Sequence, residues 1–167
     1  MTFLRNMVVV FLLFPHMVLS AQMTHADVRK SFPKAVKVEQ ECIALIEQLQ
    51  GIQKNDYILL AYRGAANIVM AKYTSSPNQK LKHFVNGKKE LEMGVQKMPN
   101  NVELRFLRFT IQQNTPSMLF YDDQEEDLIF IIDHLSDMKD LKYQEGIKKF
   151  LRESGKCSDE QLSALNK

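Results

Sequence analysis

The sequence predicts an all-α protein of about seven helices, packed as antiparallel hairpins and joined by short loops. Three observations predict it. Ala35, Val38, Cys42, Leu45, Ile46, Leu49 and Ile52 recur at helical spacing, with Lys37, Glu39, Glu41 and Glu47 between them. From Tyr57 to Ala71 the only charged residue is Arg63, which suits a helix apolar on all sides at the centre of a bundle. Helix start and stop residues punctuate the remainder. The apolar run Leu128 to Ile132 alone fits a buried strand, but its acidic start and the continued spacing to Leu135 favour helix.

Residues 1–21 read as a signal peptide, and 22–167 as a single helical domain. Arg5 supplies the positive start, Met7 to Phe14 the apolar stretch, and Val18 to Gln22 a small-residue cleavage site. A membrane anchor is the rival reading. The run Met7 to Leu19 has only 13 residues, interrupted by Pro15 and His16, against about 20 for a span. No cysteine follows, so a lipoprotein is not expected. The protein is therefore expected to be exported, periplasmic or secreted, with no membrane span after cleavage.

A short helix is expected from Thr24 to Ser31, ending before Pro33, and a longer one from Ala35 to Gly51. After the central helix, Ser76, Pro77 and Gln79 supply an N-cap, a first-position proline and a capping-box glutamine. That helix runs to about Lys97, with Leu81, Phe84, Leu91, Val95 and Met98 on one face. Gly87, Leu91 and Gly94 share a face too, where small residues let a second helix backbone come close. Pro99 ends the helix, and Asn100 with Glu103 forms a capping box for the next, Asn101 to Gln113. Asn114-Thr115-Pro116 stops it. Ser117 to Tyr121 is an apolar link whose form the pattern does not define. Asp122 or Asp123 caps the following helix, Asp140 to Arg152 forms another ending at Gly155, and Ser158 with Gln161 opens a final short one.

The succession Gly87, Leu91, Gly94, Pro99 resembles the second helix of a tetratricopeptide repeat: small, bulky, small, then proline at the turn. Leu60 to Asn67, with Gly64, stands where the first helix would. Gly64 lies 23 residues before Gly87, about twice the distance a regular repeat allows, and no second copy follows at a period near 34. The chain is also similar to a group of exported bacterial helical proteins with no assigned activity. That similarity runs through Tyr62-Arg63-Gly64-Ala65-Ala66, Ala71-Lys72-Tyr73 and Glu103-Leu104-Arg105-Phe106-Leu107-Arg108. The resemblances imply tetratricopeptide-like hairpins and a groove for a protein or peptide, and no catalytic residues.

The chain has 167 residues, 45% hydrophobic and 25% charged, which suits one folded domain. Its formal net charge of +2 falls to +1 without Arg5, so no nucleic-acid partner is expected. The charge is uneven. Lys72 to Arg108 holds eight Lys or Arg and three acids, whereas Tyr121 to Asp140 holds eight acids and one Lys. This asymmetry is satisfied either inside the fold or between two copies; the oligomeric state is left open. Cys42 and Cys157 would enter an oxidising space, where the alternatives are a disulfide between them and a buried free thiol at Cys42.

Arg63 needs a partner, because a lone desolvated charge costs several kcal/mol. Glu103 and the acids near Glu125 are its candidates; an anion contact in a groove is the alternative. Arg105 and Arg108 share a helix face, and with Gln112 and Asn114 would line a polar stripe. By analogy with helical repeats, Arg63, Arg105, Arg108 and Gln112, with Tyr62 and Tyr121, are the groove candidates. The acidic run from Asp122 to Asp127 lacks the central glycine and closing glutamate of a calcium loop, and carboxylates suit a first helical turn. Neither metal nor cofactor is expected.

Catalytic patterns are absent. His25, His83 and His134 are widely spaced, and no HExxH, GxSxG, CxxC or phosphate-binding glycine loop occurs. The sequence thus points to a protein-interaction module, not an enzyme. A small-ligand carrier with a site in the helical core is the alternative, and a hydrolase of unfamiliar type the third reading.

Overall fold

A computed structural model describes residues 23–53 and 55–165. The expected signal peptide lies outside these residues. The described chain is all-α: α1 (His25–Ala35), α2 (Glu39–Gln48), α3 (Tyr57–Tyr73), α4 (Pro77–Lys97), α5 (Val102–Gln113), α6 (Gln124–His134), α7 (Leu141–Glu153) and α8 (Asp159–Ala164). Short 3-10 turns stand at Ser117–Leu119 and Leu135–Asp137.

Helix α3 is the centre, packing against α1, α2, α4 and α5. Its small face is what makes this work. Gly64 lies against the backbone of Gly87 and Leu91 in α4, so that a Cβ there would come 2.6 Å from the Gly87 carbonyl oxygen. Gly94 faces Ala61, where a Cβ would lie 2.7 Å from the alanine methyl. Residue numbers rise along α3 as they fall along α4, so the two run in opposite directions. The expected close approach at Gly87 and Gly94 is present, and Gly64 is its counterpart.

Two apolar cores share α5. Leu104, Leu107 and Ile111 join the first, with residues of α1 to α4; Val102 and Phe109 join the second, with Leu128, Ile131, Ile147 and Leu151. A helix with apolar residues on both sides can close two layers at once.

Several boundaries differ from expectation. Helix α1 continues through Pro33 to Ala35, with Val28, Phe32 and Ala35 buried on one face, and a turn separates it from α2. Proline near the end of a helix removes only one backbone bond, and burial of Phe32 and Ala35 offsets that loss. Asn101, not Asn100, caps α5 by accepting from the Leu104 amide; Glu103 turns into the interior instead of closing a box. Ser76 precedes Pro77 as expected, but its side chain makes no capping bond. Asp123 occupies the N-cap position of α6 while its carboxylate accepts from Gln112. Asp140 caps α7, and Ser158 with Gln161 forms the expected capping box.

Candidate functional site

The arginines are the natural starting point, and each is engaged within the fold. Arg63 donates to both oxygens of Glu90 at 3.0 and 2.7 Å, and to the Leu49 carbonyl at 3.3 Å. Its partner is therefore neither Glu103 nor an acid near Glu125. The register of α3 against α4 decides this: with Gly64 opposite Gly87, Arg63 meets Glu90. Glu103 is taken by Arg29, which the sequence did not single out. Arg29 grips it at 2.7 and 2.6 Å, reaches Asp140 at 3.0 Å and stacks on the Tyr143 ring. Tyr62 donates to Glu103 at 3.0 Å and meets the Tyr143 hydroxyl at 3.2 Å. The Glu103 bonds hold Arg29 firmly charged, while burial pushes the Tyr62 and Tyr143 hydroxyls well above the usual phenol range.

A second network joins α4, α5 and α6. Arg108 donates to both oxygens of Asp127 at 2.7 Å and to Glu92 at 2.9 Å. Arg105 reaches Glu126 at 2.6 Å, Asp127 at 3.0 Å and the Pro99 carbonyl at 3.0 Å. Burial opposes the charge on Arg108, but the Asp127 carboxylate outweighs it and the guanidinium stays protonated. Gln112 donates to Asp123 at 2.8 Å, and its own amide oxygen is buried with no partner. Tyr121 donates to Glu92, lies edge-on to Phe84 and carries Lys88 over its ring at 4.3 Å. Arg108, Gln112, Tyr62 and Tyr121 are buried, and Arg63 and Arg105 are largely covered. Candidates meant for one groove are divided between three internal networks. Opposed charges that cross-link helices in this way fix how the helices pack.

Cys42 and Cys157 are both free. Cys42 is fully buried in the first core, with its thiol donating to the Ala66 carbonyl, and Cys157 packs on the second. Burial pushes the Cys42 thiol up to about 11, which makes it a poor nucleophile.

Two clefts open where α1, α3, α5 and α7 begin. One of about 340 Å³ lies between Arg29, Asn101, Glu103 and Asp140. Its neighbour, about 290 Å³, lies beside the His25–Asp56 pair. Both open to the surface and mix charged, polar and apolar side chains, unlike an enclosed apolar carrier site. Among the described residues no group of three or more His, Cys, Asp or Glu is placed to hold a metal, and no helix is long and apolar enough to cross a membrane.

The feature that the packing leaves unexplained is the link between α5 and α6. Leu119 packs on the first core and Tyr121 is buried. Between them Phe120 is 89% exposed, and nearby Met118 is 77% exposed. Phe120 is also left-handed, with φ 47° and ψ 49°, and is the one non-glycine residue with positive φ among the described residues. For a bulky side chain this costs about 1–2 kcal/mol. Leu81 and Val85 stand on the flank of α4 that meets Tyr121, and both are more than half exposed. Leu81 was expected in the core. At 100° per residue it stands about 60° round α4 from the buried Phe84, beside the exposed Val85.

No protein-family model matches this chain, and no curated protein or solved structure is similar to it.

Proposed function

We propose that this protein is an exported helical interaction module that docks another protein through the Met118–Phe120 link and the adjoining flank of α4. The observation that carries the reading is Phe120. A large apolar side chain is held in water, in a strained backbone conformation, between two anchored neighbours. Strain and exposure both work against folding, and both make sense where a preformed knob enters a partner. Pre-ordering lowers the entropy lost on binding. Helix α4, with its Gly87–Gly94 face and Pro99 turn, is the part that resembles a tetratricopeptide repeat, and that resemblance supports hairpin packing and a scaffold role. The N-terminal pattern supports export. The reading assigns no catalysis and no cofactor.

The site differs from the one the sequence suggested. Arg63, Arg105 and Arg108 serve the scaffold, while Met118, Phe120, Leu81 and Val85 make the contact. The test is capture from the cell-envelope extract of the source organism. A partner retained by the wild-type chain and lost by Met118→Ser/Phe120→Ser, at unchanged melting temperature, supports it. Retention of the same proteins by both chains defeats it.

A further inference from the structure

We infer that the occupant of this surface is a second copy of the same chain, seated with the lysine-bearing flank of α4 against the acidic outer face of α6. The inference rests on the reading of the Met118–Phe120 link as a docking surface and names what docks there.

The two faces are opposite in charge and alike in form. At 100° per residue, Lys88, Leu81, Val85, Lys89 and Lys82 succeed one another around the outer half of α4. Leu81 is 56% exposed and Val85 53%. The carboxylate on that arc, Glu92, is already held by Arg108 and Tyr121. Among the described residues Lys82, Lys88 and Lys89 have no ion-pair partner, so this flank presents an apolar pair among unneutralised lysines.

The outer arc of α6 is its counterpart. Glu125, Ile129, Asp133 and Glu126 follow one another around it, with no Lys or Arg among them. Ile129 is 48% exposed at the centre. Glu126 is engaged by Arg105, while Glu125 and Asp133 have no ion-pair partner among the described residues. The excess of lysine in one half of the sequence and of acid in the other is thus only partly neutralised by the internal pairs. Of what remains, Lys82, Lys88 and Lys89 lie on one arc and Glu125 and Asp133 on the other.

The link brings the start of α6 to α4. Tyr121 is fastened to α4 by Lys88, Phe84 and Glu92, and Asp123 starts α6. A two-fold axis near Phe120 would set each basic flank over the partner's acidic face. Both contacts would then be made twice and the assembly would close. Met118, Phe120, Leu81, Val85 and Ile129 would leave water together, with the charges forming the rim.

Sedimentation velocity of the full chain over a concentration series, at low and high salt, tests this. The expected result is a shift to twice the monomer mass as concentration rises, weakened at least tenfold by high salt. Lys82→Glu/Lys89→Glu and Glu125→Lys/Asp133→Lys should each weaken self-association at least tenfold, and an equimolar mixture of the two variants should recover it. A chain that stays monomeric throughout overturns the inference. So does self-association that ignores both reversals, a mixture that fails to recover, or binding to phosphatidylglycerol vesicles in place of self-association. The two readings fail separately. A monomeric chain that captures a different protein through Phe120 overturns the second copy and keeps the docking surface. If Met118→Ser/Phe120→Ser self-associates as well as wild type, the docking surface itself is lost.

Discussion

Gly64 and Gly87 meet backbone to backbone across α3 and α4: a Cβ on either glycine would run into the other's carbonyl oxygen. The contact sets how close the two longest helices lie, and through it which side chains face each other. Gly146, in the interior of α7, is a natural control because a Cβ there meets nothing within 4 Å.

Gly87→Ala should therefore destabilise the protein by about 1–3 kcal/mol or more, since the obstacle is backbone and cannot swing aside. Gly146→Ala should stabilise it by about 0.5–1 kcal/mol through helix propensity. Urea denaturation followed by circular dichroism measures both. Equal effects of the two substitutions would show that the α3–α4 contact is looser than described.

Asp127 is fully buried and receives two bonds from Arg108 and one from Arg105. Asp127→Asn removes the buried carboxylate charge that Arg108 grips with two bonds, leaving it only Glu92 as a hydrogen-bonded carboxylate, and should cost about 3–5 kcal/mol. Arg108→Met with Asp127→Leu should lose much less than the two single changes added together. A double-mutant cycle in urea reads this coupling; simple additivity would mean that the pair contributes nothing as a pair.

Burial raises the hydroxyls of Tyr62, Tyr121 and Tyr143 well above the ordinary phenol value. The sign follows directly. The folded state keeps these protons when the unfolded chain releases them, so the tyrosines' contribution to stability is constant below about pH 10 and falls above it. The slope is about 1.4 kcal/mol per pH unit for each tyrosine. Absorbance of tyrosinate and circular dichroism should change together on alkaline titration. Ionisation of these three tyrosines in the folded chain, ahead of any loss of helix, would contradict the burial.

Phe120 separates stability from binding. Phe120→Gly removes a strain of about 1–2 kcal/mol and adds about 0.5–1 kcal/mol of unfolded-state freedom. The melting temperature should stay level or rise by a few degrees, while docking is lost. A fall of several degrees would show instead that the side chain is part of the packing.

Most of the helices are legible in the sequence because they are written locally. The stripe from Val38 to Leu49, the apolar Tyr57 to Tyr73 segment, Pro77 and the Ser158–Gln161 box depend on near neighbours along the chain. Other features depend on residues far away in the chain. Asn101 takes the cap because Glu103 is drawn inward by Arg29 and Tyr62, residues 74 and 41 positions away. The link from Ser117 to Tyr121 carries no periodicity, so nothing local announces that Leu119 and Tyr121 turn inward while Phe120 turns out.

By itself the sequence determined an all-α fold, its central apolar helix and the glycine face on which a second helix rests. Periodicity, capping and side-chain size are local properties, and they act before any partner helix is chosen. Tertiary structure alone decided that Arg63 pairs with Glu90, Arg29 with Glu103 and Arg108 with Asp127. It also decided that Leu81 and Phe120 are left in water. Charge pairing and burial depend on which surfaces meet, and that follows from packing all the helices together.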